Sequence, residues 1–267
     1  MEREDLAVTA SAYEDGATGE WVFEATCASE PDLESFSELA RLTLGGEVGF
    51  SVEAIDPEID WVAKSLEGLR PVQAGGFYVY GGHEAAPPPA GTITIRIEAA
   101  QAFGTGHHET TAGCLEAIDR LARLYWFRRA LDLGSGTGVL AIAIAKRMGV
   151  PVLATDIDPV AVQTAAENAR DNGTGRRVAS IQADGTGHSA IARAGPYDLI
   201  VANILAGPLM QMAPGVGRLA APGAIVVLSG LLATQALRVQ SAYARAGMYA
   251  VRKLIRGDWA TLVLEKR

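Results

Sequence analysis

Three places in the sequence combine residue types and spacing that could do chemistry. From Ala130 to Leu140 the chain reads ALDLGSGTGVL, an apolar run entering alternating glycines at Gly134, Gly136 and Gly138. Glycine reaches backbone conformations closed to other residues and lets a ligand touch the main chain. A dinucleotide fingerprint needs its third glycine three positions after the second, and Val139 stands there, which disfavours a nicotinamide-dependent oxidoreductase. The tighter Asp-x-Gly-x-Gly-x-Gly spacing fits S-adenosylmethionine, whose amino-acid and ribose parts would lie against the loop at Gly134 and Gly136. The second place is Asp156, 22 residues beyond Gly134 at the end of the next apolar run. A carboxylate there can accept hydrogen bonds from both ribose hydroxyls. Asp158-Pro159 behind it reads as a helix cap followed by proline at the first helical position. The third place is Asn203, which follows the apolar stretch 199–202 and precedes Gly207-Pro208.

Other residues leave two readings open. Asp184, in QADG after the stretch 178–182, could contact an adenine amino group or be a plain turn carboxylate. Phe103 lies in a glycine-flanked loop that enters a helix, where it could cover the cofactor or plug the core. His107, His108 and Glu109 invite a metal reading. Adjacent histidines point in different directions and no third ligand follows at i+4 spacing, so no metal site is expected. His83 and His188 are isolated, Trp61 and Trp259 read as packing anchors, and Arg176-Arg177 reads as a solvated turn.

The elements that must position these residues form a pattern. Stretches 6–13 and 21–26 read as strands, 31–44 as a helix opened by Pro31 and Asp32, and 48–55 as a returning strand. This ββαβ order suggests a small α+β module over residues 1–56. Residues 57–91 read as a connector with one helix face (Trp61, Val62, Leu66, Leu69), a short strand at 77–80 and a proline-rich loop at 85–91. From 92 to 267 strands and helices alternate, with strands expected at 92–97, 130–133, 152–155, 178–182, 199–202, 224–228 and 259–265. Helices are expected at 111–124, 139–147, 159–172 and 232–246. Such alternation argues for a parallel sheet covered on both faces, with ligands at the carboxyl ends of its strands.

Composition narrows the class. Of 267 residues, 49% are apolar and 20% charged, which excludes a disordered chain. No apolar run reaches the roughly 18 residues of a membrane helix, and the charged start lacks the pattern of a signal peptide. Two cysteines, Cys27 and Cys114, make neither a disulfide framework nor a zinc site. A reduced, cytoplasmic protein is expected, with a monomer as the default. The net charge of −8 is unevenly spread: residues 1–70 hold 17 acids and 4 bases, and residues 71–267 hold 14 acids and 19 bases. The acidic quarter is either a solvated surface or a docking surface for a basic partner. It would repel a phosphate backbone, so no direct nucleic-acid partner is expected.

From about residue 58 onward the chain resembles the ribosomal protein L11 methyltransferases, most closely the variant seen in alphaproteobacterial sequences. The resemblance rests on IDWVAKSLEGLRP at 59–71, AFGTGHHETT at 102–111, the loop from Asp132 to Gly138, and VANILAGPL at 201–209. It implies a seven-stranded Rossmann-like class I methyltransferase domain preceded by a small ferredoxin-like substrate domain. It also implies transfer of methyl groups from S-adenosyl-L-methionine to lysine and N-terminal amines of ribosomal protein L11. Thr111, Gly134, Asp156 and Asn203 would be cofactor contacts. Two departures are visible. The strand and helix that the family places before residues 6–13 are absent or barely begun, which leaves the completeness of the first module open. The family's commoner GTGTHPTT reads GTGHHETT here, with Thr111 kept.

The implied reaction needs an amine with a free lone pair. A lysine with a pKa near about 10.4 costs about 4.6 kcal/mol to deprotonate at pH 7, and an N-terminal amine near about 8 costs about 1.4. The protein can help by accepting N–H hydrogen bonds and aiming the lone pair. Asn203 suits that role through its side-chain oxygen, with the Ile204 carbonyl beside it. A strand-end asparagine that merely caps a turn is the plainer reading. A methyltransferase for another protein or small amine, or a non-catalytic cofactor-binding ribosomal factor, remain the alternatives.

Overall fold

Apolar residues fill both alternating positions of the central strands, and this is what buries them in the middle of a sheet. The computed structural model describes residues 9–14, 21–27, 31–44, 49–52, 71–81, 88–97 and 107–267. The chain divides into two units, Met1–Ile59 and Asp60–Arg267.

In the first unit, β1 (Thr9–Glu14) pairs antiparallel with β2 (Trp21–Thr26), with Thr9 opposite Thr26 and Glu14 opposite Trp21. Helix α1 (Leu33–Leu44) follows. The Asp32 side chain accepts the Glu34 and Ser35 N–H groups at 3.1 and 3.3 Å, satisfying amides that a helix start leaves open. Of the returning strand expected at 48–55, residues 49–52 adopt no regular structure, and the remainder lies outside the described residues.

The second unit carries a seven-stranded sheet in the order β11-β12-β10-β9-β6-β7-β8. Its members are β6 (Ala130–Leu133), β7 (Val152–Asp156), β8 (Val178–Gln182), β9 (Tyr197–Asn203), β10 (Ala220–Leu232), β11 (Met248–Arg256) and β12 (Trp259–Lys266). Strands β8, β7, β6, β9 and β10 run parallel, and β12 runs antiparallel to β10 and β11. Helices α2 (His107–Leu124), α3 (Val139–Met148), α4 (Pro159–Asp171), α5 (Ser189–Ala194), α6 (Ala206–Leu219) and α7 (Ala236–Ala244) accompany the strands. Alternate strand residues feed two cores. Leu199, Val201, Val227 and Val263 pack with α2 and α3 through Leu115, Ile118 and Ile142. Ile200, Ala202, Val226 and Leu264 pack with α6 and α7 through Leu209, Val216, Val239 and Tyr243. Each fully buried aliphatic side chain contributes roughly 1.5–3 kcal/mol.

Two strand assignments differ from expectation. The stretch at 92–97 becomes β5 (Ile93–Arg96), which leaves the large sheet and pairs parallel with β4 (Phe77–Tyr80), itself antiparallel to β3 (Val72–Ala74). The Asn172 side chain closes the outer edge of β5, accepting the Arg96 N–H at 3.0 Å and donating to the Arg96 carbonyl at 2.6 Å. The strand expected at 77–80 is present, and Val72–Ala74 adds a second one beside it within the second unit. The seventh place in the large sheet is taken by β11, whose Arg252, Lys253 and Arg256 and largely exposed side chains give an edge strand little apolar signature.

Helix α6 was also unexpected, because it contains Gly207, Pro208, Pro214, Gly215 and Gly217. Pro208 falls in the first turn, where its missing N–H costs nothing. Burial of Leu209, Ala213, Val216 and Leu219 on one face outweighs the low helix propensity of the rest.

Candidate active site

The glycine loop joins β6 to α3 at the carboxyl end of the sheet. Gly134, Gly136 and Gly138 have φ of 66°, 51° and 79°, a region that strains any residue with a side chain. Spacing around the loop is as demanding as its dihedrals. A Cβ on Gly134 would stand 2.5 Å from Ile204 Cγ2, and one on Gly138 would stand 3.0 Å from Ala165 Cβ. A Cβ on Gly136 would meet nothing within 4 Å, so this glycine faces open space. The Ser135 N–H donates to the Thr155 carbonyl at 3.0 Å, and the Asn168 side chain donates to the Thr137 carbonyl at 2.9 Å. These bonds fix the loop between β7 and α4.

Asp156 ends β7. Its Oδ2 accepts the Gly136 N–H at 2.8 Å and its Oδ1 accepts the Asp158 N–H at 3.1 Å. A carboxylate has about four lone-pair sites, so acceptor capacity remains for ribose hydroxyls. Asp158 caps α4 through the Val160 N–H at 2.8 Å, with Pro159 at the first helical position. Asp184 is exposed just beyond β8. The N–H of the preceding Ala183 donates to the Asp156 carbonyl at 2.8 Å, so Asp184 sits at the same end of the sheet.

Asn203 closes β9 and Thr111 lies in the early turns of α2. The structure brings them together, with Asn203 Nδ2 donating to Thr111 Oγ1 at 3.3 Å. The other amide atom, Asn203 Oδ1, is buried and has no hydrogen-bond partner among the described residues. Ile204 follows, its N–H donating to the Ser229 carbonyl at 3.2 Å and its side chain packed against Gly134. Phe103 lies outside the described residues, as do the side chains of His107 and His108. Trp259 and Leu232 pair where β12 meets β10, and His188 caps α5 by accepting the Ala190 N–H. Among the described residues, no group of three His, Cys, Asp or Glu is placed to hold a metal ion.

Asp132 is the residue of the loop motif that spacing alone assigns no task. It is buried beneath the loop, with Oδ2 accepting the Ala141 N–H at 2.9 Å and Oδ1 unpartnered. Burial pushes its carboxyl up to about 7, the Ala141 N–H opposes that, and the Asp156 charge adds to it. The available signal was an acid inside an otherwise apolar strand. The Cys114 thiol is also buried and pushed up to about 12 by desolvation, despite a hydrogen bond to Ser229, so it is no nucleophile at neutral pH.

Asp132 Oδ1, Ser135 Oγ and Asn203 Oδ1 are all buried and unsatisfied, and all belong to the loop or its neighbouring strand ends. Unmet buried polar groups on one loop and the strand ends beside it suit a polar ligand. A hollow of about 430 Å³ elsewhere, lined by Arg129, Arg176, Arg177 and Arg193, opens at the amino ends of the strands, away from this crevice.

Residues 8–267 match the family described as ribosomal protein L11 methyltransferase (PrmA). The chain belongs to the ribosomal protein L11 methyltransferase family. A relative of that name in Agrobacterium fabrum is 47% identical over 264 residues, covering 98% of this chain and 90% of the relative. One in Rhizobium leguminosarum is 53% identical over 210 residues, covering 79% of this chain and 72% of the relative. Among solved structures, a ribosomal protein L11 methylase from Lactobacillus delbrueckii subsp. bulgaricus superposes with a TM-score of 0.66 at 29% identity, covering 74% of this chain and all of that one. The protein is therefore an S-adenosyl-L-methionine-dependent methyltransferase of this family, with a class I fold.

The residues fit that cofactor. The main chain is bare at Gly136, Asp156 retains acceptor capacity beside it, and Asn203 Oδ1 lacks a donor. When bound, S-adenosyl-L-methionine supplies a methyl group on a sulfonium.

Proposed function

We propose that the protein methylates lysine and N-terminal amines of ribosomal protein L11. The cofactor lies along Gly134 and Gly136, its ribose on Asp156, its adenine toward Asp184 and its amino-acid end by Thr111 and Asn203. Phe103 is assigned to cover it on its place in the glycine-flanked sequence alone. The amine enters beside Asn203 and donates to Asn203 Oδ1 and the Ile204 carbonyl. Two fixed acceptors turn the nitrogen lone pair toward the donor methyl, which supplies positioning rather than a general base. Removal from water lowers the amine's pKa and so reduces the cost of its neutral form.

The observation that carries this reading is Asn203 Oδ1, a buried acceptor with no donor of its own, at the strand end next to the glycine loop. An unmet buried acceptor costs about 1–3 kcal/mol, which an incoming N–H recovers. The 15 acids against 2 bases of residues 1–59 support docking of a basic ribosomal protein on the first unit. A substrate destined for the ribosome places the reaction in the cytoplasm, and no described helix is long and apolar enough to cross a membrane. The working unit is taken as a monomer.

The test is incubation with purified L11 and cofactor carrying a labelled methyl group. The expected result is a gain of whole methyl masses on L11, located by peptide mapping at lysine and the N-terminus. Label appearing only on another acceptor rejects the substrate assignment. Light scattering in solution checks the monomer.

A further inference from the structure

We infer that Gly230 is a positioning residue for the reaction, because its missing side chain sets where the Ile204 carbonyl sits. The inference rests on the assignment of that carbonyl as an amine acceptor.

Gly230 lies in β10, one residue past Ser229, which is the last residue of β10 to pair with β9, opposite Asn203. On the other side, β10 pairs with β12 at Leu228–Leu262 and again at Leu231–Ala260, so Ser229 and Gly230 together oppose Thr261. This is a bulge, and Gly230 has a φ of 80° within it. The Ser229 hydroxyl lies 3.0 Å from the Thr261 hydroxyl and donates to the Ala260 carbonyl at 3.1 Å, pinning the bulge to β12.

The close neighbour of Gly230 is the backbone of Ile204. A Cβ at position 230 would stand 2.5 Å from the Ile204 oxygen and 2.7 Å from both its carbonyl carbon and its nitrogen. These are main-chain atoms, so no rotamer change can clear them. Ile204 is gripped elsewhere too, its Cγ2 against Gly134 and its N–H on the Ser229 carbonyl. One residue is thus clasped by two glycines. Any side chain at 230 must push the Ile204 peptide units away from β10. A displacement of about 1 Å in a reacting geometry can cost about 100-fold in rate.

Gly223 in the same strand provides the control. Its φ is 74°, yet a Cβ there would meet nothing within 4 Å. Gly223→Ala therefore carries backbone strain without a collision, and Gly230→Ala carries both.

The experiment uses the full chain. Melting temperature, cofactor affinity by calorimetry, and kcat and KM with L11 are measured for both variants. For Gly230→Ala the expected result is a kcat at least about 10-fold lower, with cofactor affinity within about 3-fold of the parent. Gly223→Ala keeps its kcat. A Gly230→Ala protein that turns over at the parental rate overturns the inference. So does one whose cofactor affinity falls as much as its kcat, or one that fails to fold while Gly223→Ala folds, since each makes Gly230 purely structural. A second measurement separates this from the acceptor assignment. Ile204-Leu205 is the single Ile-Leu pair in the sequence, so carbonyl-labelled isoleucine with amide-labelled leucine gives one assigned NMR signal. That signal in the parent protein should move when L11 is added with demethylated cofactor. If it stays, the acceptor assignment fails. If it moves while Gly230→Ala remains active, only the role of Gly230 fails.

Discussion

Asp156 and Gly136 are joined by a 2.8 Å hydrogen bond from the loop N–H to the carboxylate. The end of β7 thereby holds the glycine loop after β6, and the group proposed to bind ribose also shapes the surface beneath the cofactor. Asp156→Asn keeps the size but removes the charge and presents a donor in place of one acceptor. Hydrogen bonds to charged groups contribute about 1.5–3 kcal/mol, so cofactor affinity should fall about 10- to 100-fold. Calorimetric titration checks this.

Asn203 has one amide atom on Thr111 and the other unmet. Asn203→Ala removes the acceptor while β9 and its pairing remain. Losing one preorganised polar group in a site of this kind costs about 100-fold or more in turnover. The expected variant is folded, with a melting temperature near the parent's and kcat for L11 reduced by that factor. A kcat within 2- to 3-fold (about 0.5 kcal/mol) would remove Asn203 from the mechanism.

Asp132 has a folded-state pKa raised by burial from 3.8 to about 7. The folded form then holds a proton that the unfolded chain releases near pH 4. Its favourable contribution is full below about pH 4 and is lost as pH rises toward 7. Asp132→Asn can still accept the Ala141 N–H and does not titrate. Melting temperatures across pH 4 to 8 should therefore show the variant gaining on the parent as pH rises, with the gap constant above about 7. A gap that does not change with pH contradicts a raised pKa at this residue.

Tyr243 is fully buried in α7 and its hydroxyl has no partner among the described residues. Burial pushes its pKa up from the usual phenol value, so it is neutral throughout the working range. Tyr243→Phe deletes an unsatisfied polar group and keeps the ring that packs with Val239 and Met248. Stability should rise by about 1 kcal/mol, read as a higher midpoint of urea unfolding with an unchanged slope.

Much of the crevice was legible because its chemistry is written in consecutive residues. A buried strand, alternating glycines and an acid on the following strand fix the loop from Asp132 to Gly138 and Asp156. Asn203 was legible as a polar residue closing an apolar strand. Its contact with Thr111 was not, since it joins positions far apart in sequence that meet only when α2 packs on the sheet. Position 93–96 read correctly as a strand, but an apolar run does not name its sheet, and Asn172 and Lys146 hold it outside the large one. The edge strand β11 and the glycine- and proline-bearing helix α6 were hidden for a different reason. Both owe their form to neighbours rather than to local propensity.

β12 comes last among the strands in chain order, yet it fills an interior slot between β10 and β11. Until residues 259–266 arrive, β10 has a bare edge, the Ser229 hydroxyl lacks its two partners in β12, and Gly113 faces a gap where Thr261 belongs. Translation delivers those residues after every other strand of the sheet. A nascent copy therefore cannot close β10 between its two neighbours, or pin the bulge at Ser229 beside Asn203, until this late segment has emerged.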